Sequence, residues 1–255
     1  MVGLEKKIDV EAMRKACQAA AATLELVRTS IVPGMTTADI DQIVHNDTLM
    51  RGGYPAPLNY KGFPRSVCVS VNEVACHGIP SQQRLNEGDA VNVDVTTIID
   101  GHFGDTNATF IVGDVANARP DVVKLVDVTH QALVAGIAVI KAGVPVTAIG
   151  AAVEDVVTRH GLSVVREFGG HGINTVFHDV PHVRHFIDPL DKGDVLEAGM
   201  FITVEPIVSL GSPDIIIDPD GWTVRTRDGA WTAQFEETIM VTTAGYEVLT
   251  HKGAT

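Results

Sequence analysis

Two aspartates in the segment VNVDVTTIIDGHFGDT, residues 91–106, carry the first sign of chemistry. Asp100-Gly101 is a strong signal for a two-residue hairpin turn. With those residues at the turn, Asp94 falls opposite Asn107, and Asp105 lies two positions from Asn107 on the same strand. Asp94 and Asp105 then project to one side of the ribbon as diagonal neighbours. Two carboxylates so placed repel each other unless a proton or a cation intervenes. A pair of hairpin aspartates more often divides into one facing solvent and one capping a loop. Here Asp94 interrupts a strongly apolar strand, which favours a ligand role.

Further acids and histidines complete a constellation. Glu205 ends FITVE before Pro206, and Glu236 lies in QFEETIMV; each puts a carboxylate into a run that would otherwise enter a core. The segment FGGHGINTVFHDVPHVRH holds His171, His178, His182 and His185, and NEVACHGIP holds His77. His171 sits between two glycines, which leave room for close approach of a metal or ligand. His182 and His185 read as ordinary loop residues. The histidine spacing fits no HExxH helix, so a thermolysin-like zinc site is disfavoured. One imidazole and four carboxylates suit Mn²⁺, Fe²⁺ or Co²⁺. Four negative charges balance two divalent cations, and such a pair implies metal-assisted hydrolysis.

The elements that must position these groups follow from periodicity. Residues 10–29 carry apolar positions at helical spacing, with Asp9 as cap and Ile8 and Met13 as a staple. After Val32-Pro33-Gly34, Thr36 or Thr37 caps a second helix to about Met50. Pro120 starts a helix running to about Lys141; Gly143-Val144-Pro145 interrupts it, Thr147 is placed to cap the next, and Gly161 to end it. The order helix, VP turn, helix occurs twice, with the VP pairs 112 residues apart, and Asp94 and Glu205 are 111 apart. A duplication into halves of roughly 9–115 and 116–250 is therefore expected. β-Patterned runs follow each helix pair, at 67–71, 90–98, 109–112, 201–208, 214–217 and 235–242. A single α/β domain accounts for this order.

Composition excludes several classes. The 255 residues carry 19 Lys and Arg against 32 Asp and Glu, a net charge of −13, which disfavours general nucleic-acid binding. Cys17, Cys68 and Cys76 suggest neither a disulfide framework nor a zinc finger. The N-terminus has no apolar run of a signal peptide, and the stretch at 133–140 is too short to span a bilayer. A soluble, cytoplasmic protein without membrane partners is expected.

Taken together, NEVACHGIP, VNVDVT followed by GDT, GGHGI with FHDVPHV, FITVEPIV and QFEETIMVT resemble the type I methionine aminopeptidases over nearly the whole chain. The resemblance implies the pita-bread fold, an α/β (α+β) architecture of two pseudo-symmetric halves with antiparallel strands around a central dinuclear metal site. It implies metal ligands Asp94, Asp105, His171, Glu205 and Glu236, holding two ions of Co, Mn, Fe or Zn with a bridging water. Glu205 would relay the proton of that water, His178 would steady the carbonyl oxygen, and His77 would contact the scissile nitrogen or leaving amine. The methionine pocket would draw on Tyr60, Phe63, Cys68, Phe177 and Trp222, and a monovalent cation would lie near Asn72, Val74 and Thr232. The implied substrates are N-termini of nascent polypeptides with a small second residue; the ribosome is a candidate partner, and a monomer is expected. Departures from the family pattern are Pro57 in place of a cysteine seen in some members, Phe63 in place of tyrosine, the order His102-Phe103, and Glu237 where histidine is common.

Two other readings stand beside this one. A proline-directed peptidase of the same fold uses a similar ligand set but usually carries an extra N-terminal domain, for which this length leaves no room. A non-catalytic peptide-binding relative would have lost its metals, yet all five candidate ligands are intact.

Overall fold

The computed structural model describes residues 9–191 and 193–251. The chain opens with a helix pair. α1 (Val10–Ser30) is capped by the Asp9 carboxylate accepting from the Ala12 N–H, and α2 (Thr37–Met50) by a Thr36–Asp39 capping box. The expected staple partner Ile8 lies outside the described residues. A short β1 (Tyr54–Pro55) follows, then β2 (Cys68–Val71), β3 (Val74–Cys76) and the long hairpin of β4 (Ala90–Ile99) and β5 (His102–Ile111). The hairpin has the expected register, Asp94 opposite Asn107 and Thr96 opposite Asp105. Both turn residues, Asp100 at φ 51° and Gly101 at φ 76°, are left-handed, as a primed two-residue turn requires.

A second helix pair, α3 (Pro120–Ala138) and α4 (Thr147–Arg159), leads to β6 (Ser163–Val164), β7 (Gly170–Gly172), β8 (Asp179–Val183), β9 (Phe201–Val204) and β10 (Ile207–Ser209). Then come β11 (Ile215–Ile217), β12 (Val224–Thr226), β13 (Thr232–Gln234), β14 (Glu237–Val241) and β15 (Tyr246–Val248). Thr147 does not cap α4. Val146 already has helical angles, and the first-turn donors bond backbone carbonyls, Ala148 N–H to Pro145 O and Ile149 N–H to Val146 O, so no side-chain cap is used. Gly161 follows α4 at φ 71°, the left-handed terminator expected there.

Among the described residues, four antiparallel sheets result. β4 is central to one, flanked by β5 on one side and by β1 and β2 on the other; a second runs β15-β14-β9-β7-β8. Smaller sheets run β13-β10-β6 and β11-β12-β3, the latter pairing Val74–Cys76 with a strand about 150 residues later. α1 and α2 cover the first sheet through Leu24, Val27, Ile40 and Val44 against Val69, Val91, Val93 and Val95. α3 and α4 cover the β15-β14-β9-β7-β8 sheet through Leu133, Ile137, Ile149 and Val153 against Ile202, Val204 and Ile239. α1 lies so close to β5 that a Cβ on Gly104 would stand 2.3 Å from the Ala16 carbonyl carbon and the Cys17 nitrogen.

Two expected strands are broken, and the breaks matter. The run 201–208 divides at Glu205-Pro206, because proline has no N–H to continue the ladder. The run 235–242 begins only at Glu237, and Glu236 forms an isolated bridge to Asn107 on β5. Both glutamates thus stand at strand ends, where the side chain is free of the regular pleat.

Candidate metal centre

Asp94, Asp105, His171, Glu205 and Glu236 all line one cavity of about 360 Å³. Ligand atoms of Asp105, His171 and Glu236 lie within 4.8 Å of one another. His171 Nε2 is 3.7 Å from Glu205 Oε1 and 3.9 Å from Asp105 Oδ2. Its Nδ1 lies 3.0 Å from the Gly172 carbonyl oxygen, to which it can only donate. Burial holds the ring neutral, with its pKa brought down to about 4. The Nε2 lone pair therefore points at carboxylate oxygens, a repulsive arrangement that a cation resolves.

Three of the four acids are held from behind. Thr96 Oγ1 donates to Asp105 at 2.7 Å, Thr203 Oγ1 to Glu205 at 2.8 Å, and Asn107 Nδ2 to Glu236 at 2.8 Å. Gln234 Nε2 adds a bond to Glu205 at 3.1 Å. Asp94 differs: its Oδ1 is buried and has no hydrogen-bond partner among the described residues. Burial pushes all four acids up, Asp105 to about 7, and facing carboxylates add to it for Glu205, raised to about 8, and for Asp94 and Glu236, raised well above the ordinary range. A buried acidic cluster with a free acceptor and an imidazole lone pair fits divalent metal binding.

Glycines make the close approach feasible. A Cβ on Gly170 would sit 2.2 Å from the Thr203 carbonyl oxygen, and one on Gly172 would sit 2.0 Å from that of Val180. β7 is therefore pressed between β8 and β9, which sets the His171 ring over the acids.

The remaining expected site residues gather at the same cavity: His77, His178, Tyr60, Phe63, Cys68, Phe177 and Trp222 all line it. Phe63 meets Trp222 edge-on at 5.2 Å, and Phe177 meets Tyr60 at 5.0 Å. The His102-Phe103 order brings Phe103 beneath the pocket, stacked on Phe177 at 5.2 Å. His178 Nδ1 is 3.0 Å from Tyr60 Oη, and burial, aided by His171 and Lys61, holds its pKa at about 3. His77, held at φ 56°, packs edge-on against Phe168 at 5.2 Å. Asn72, Val74 and Thr232 also meet, with both carbonyl oxygens 3.1 Å from Thr232 Oγ1.

Some features were not expected. Cys76, Phe168, Lys61 and Gln234 line the cavity, although only their nearness to motif residues signals it in the sequence. His185 is no ordinary loop residue: it is fully buried, neutral with a pKa near 3, and its Nε2 accepts the backbone N–H of Glu205 at 3.0 Å. His182 is exposed on β8 and is a strand rather than a loop residue.

A model of metallopeptidase family M24 matches residues 11–243. A methionine aminopeptidase of Rickettsia prowazekii is 45% identical over 93% of this chain and 91% of its own length. Its crystal structure superposes with a TM-score of 0.91, covering 96% and 99% of the two chains. That of a methionine aminopeptidase from Thermotoga maritima gives a TM-score of 0.92 at 36% identity, over 99% and 100%. A prolidase from Pyrococcus furiosus shares the fold at 18% identity and a TM-score of 0.75, and this chain spans 64% of it. The chain thus belongs to metallopeptidase family M24, hydrolases of the pita-bread fold, and within that family to the methionine aminopeptidases.

Proposed function

We propose that this chain removes the initiator methionine from nascent polypeptides whose second residue is small, with Asp94, Asp105, His171, Glu205 and Glu236 holding two divalent cations. The observation that carries this reading is an unpartnered Asp94 Oδ1 in the cavity that also holds a neutral His171, whose Nε2 faces carboxylates, next to an aromatic pocket. Bound divalent ions supply Lewis acidity and lower the pKa of water near neutrality. The ion identity, Co, Mn, Fe or Zn, follows availability as much as the ligand set.

The protein's own groups divide the remaining work. Phe63, Cys68, Phe177, Trp222 and Tyr60 take the methionine side chain, since aromatic walls and a soft sulfur suit a thioether. Glu205, which lines the cavity at the end of β9, holds and passes on the proton lost by water. His178 is neutral, and with Nδ1 accepting from the Tyr60 hydroxyl its Nε2–H faces the cavity to donate to the substrate carbonyl oxygen. His77 contacts the scissile nitrogen and then the leaving amine. The two carbonyls that share the single Thr232 hydroxyl keep unused lone pairs, which suits a monovalent cation near Asn72 and Val74. The chain acts as one catalytic domain with duplicated halves at roughly 9–115 and 116–250. We place it in the cytoplasm as a monomer, near the ribosome; three buried free thiols accord with a reducing compartment.

Peptide assays decide between this reading and its rivals. After chelation and reloading with Mn²⁺ or Co²⁺, free methionine is expected from Met-Ala-Ser and little cleavage of Ala-Pro peptides. Preferential cleavage of Ala-Pro would establish a proline-directed peptidase instead. Absence of any cleavage would favour a peptide-binding role.

A further inference from the structure

Among the described residues that line the cavity, Lys61 is the one lysine or arginine. It is exposed, whereas Phe63 and Cys68 are buried, so it stands at the mouth. Its Nζ lies 5.2 Å from the centroid of the Tyr60 ring, and Tyr60 in turn contacts His178. No carboxylate of the described residues forms an ion pair with it. Asn59, Lys61 and Gly62 take φ of 67°, 47° and 91°, so the loop keeps a lysine in a conformation that glycine adopts more readily. The turn is closed by the Asn59 N–H to the Phe63 carbonyl at 2.8 Å and the Phe63 N–H to the Tyr60 carbonyl at 2.9 Å. Backbone strain of this kind gathers where a side chain is held for a purpose.

We propose that Lys61 is a specificity-determining residue that favours substrates with an acidic side chain at the third position. This rests on the aminopeptidase reading above. With the four buried acids matched by divalent cations, the Lys61 ammonium is the remaining charge among the described residues that line the cavity. A peptide bound by its N-terminal residue in the aromatic pocket advances about 3.3 Å per residue. Its second residue lies beside the reacting centre, and its third is the first to emerge at the rim. A carboxylate there meets an unpaired ammonium, while a lysine is repelled.

The test compares Met-Ala-Asp-Gly-amide with Met-Ala-Lys-Gly-amide on the Mn²⁺-loaded enzyme, the amide removing the terminal carboxylate. An exposed pair of this kind gives about a threefold preference in kcat/KM for the acidic peptide at low salt, expressed in KM. Higher salt shrinks it, because the Debye length falls to about 3 Å at 1 M. Lys61→Arg keeps the preference, Lys61→Gln removes it, and Lys61→Glu reverses it. Fluorescence anisotropy with labelled analogues, whose scissile amide is a reduced methyleneamine, measures the same ratio in Kd without turnover. Equal ratios in the wild type, Lys61→Gln and Lys61→Glu would overturn the proposal. Loss of all methionine release with the Kd ratio intact would instead overturn the catalytic reading and leave the recognition role standing.

Discussion

Asn107 holds Glu236 twice: its side-chain amide donates to Oε2 at 2.8 Å, and its carbonyl accepts the Glu236 N–H at 3.0 Å. One residue of the first hairpin thereby fixes an acid from the last third of the chain. Asn92 completes the frame by donating to Asn107 Oδ1 at 3.0 Å. Partners behind a metal ligand orient it, and their loss typically costs 10- to 100-fold in affinity. Asn107→Ala is therefore expected to weaken Mn²⁺ binding by about that range in isothermal titration. Unchanged affinity would show that Glu236 is positioned by its backbone bridge alone.

The buried His185 does for Glu205 what Asn107 does for Glu236, from the opposite side of the site. Its lone pair satisfies a backbone N–H that stands beside Pro206, at the point where the strand ladder ends. His185→Leu leaves that N–H unpaired, with an expected loss of about 1–3 kcal/mol in stability. Glu205 should also move, so kcat should fall even in the fraction that remains folded. Chemical denaturation together with kcat at a temperature well below the transition checks both parts.

Two glycines of the same hairpin separate space from conformation. Gly104→Ala drives a methyl into the backbone of α1 at Ala16 and Cys17. Overpacking against backbone that cannot yield is expected to cost about 3 kcal/mol. Gly101→Ala meets nothing within 4 Å but keeps φ at 76°, so its cost should stay near about 1 kcal/mol. Thermal melts of the two variants should rank in that order, and only the Gly104 variant should also bind Mn²⁺ more weakly.

In the role proposed for His178, Nδ1 accepts from the Tyr60 hydroxyl 3.0 Å away and Nε2 carries the proton. Without the hydroxyl, Nδ1 loses its partner and the ring is free to present either tautomer. Tyr60→Phe is expected to lower kcat by about tenfold, within the usual worth of one positioned proton-handling group. KM for a Met-Ala peptide should change little, because the ring remains against Phe177. A change confined to KM would assign Tyr60 to the methionine pocket alone.

The five residues proposed as ligands stood out in the sequence because each violated its surroundings, an acid in an apolar strand or a histidine between glycines, and all five line one cavity. Asp100-Gly101 set the register that puts Asp94 opposite Asn107 and Thr96 opposite Asp105, and strict alternation along the strands then places both aspartates on one face. The histidines were harder. His185 looks like its exposed neighbour His182, and nothing local shows that a backbone amide from Glu205 will meet it. Thr147 misled for a similar reason, since a threonine after a VP turn resembles a cap until the neighbouring backbone supplies the bonds. Lys61 was invisible because an exposed lysine is the commonest of surface residues, and only the cavity mouth makes it different.

The buried charges also dictate how stability depends on pH when metal is removed. His171, with a pKa near 4, and His178 and His185, near 3, together with a lowered His77, bind fewer protons folded than unfolded. Their effect is to raise stability as pH climbs to about 6.5, the unfolded value, and it is complete above that. The four acids act with the opposite sign. Their folded pKa values are raised, to about 7 for Asp105 and about 8 for Glu205, so the folded state holds protons that the unfolded state has released. Stability from these protons is lost as pH rises through the folded values. His251, raised by Glu237, contributes with the same sign at the surface. Between pH 6.5 and 8 the acids act without opposition from the buried histidines, and the chelated protein should lose Tm steadily over that interval. Mn²⁺ takes the place of the protons, so the metal-loaded protein should show a much flatter profile. Glu205→Gln removes one titrating acid and should flatten the chelated profile without metal. Calorimetry at half-unit steps of pH measures all three, and a chelated Tm that climbs from pH 6.5 to 8 would contradict the assignment of these four carboxyls as a mutually repelling buried cluster.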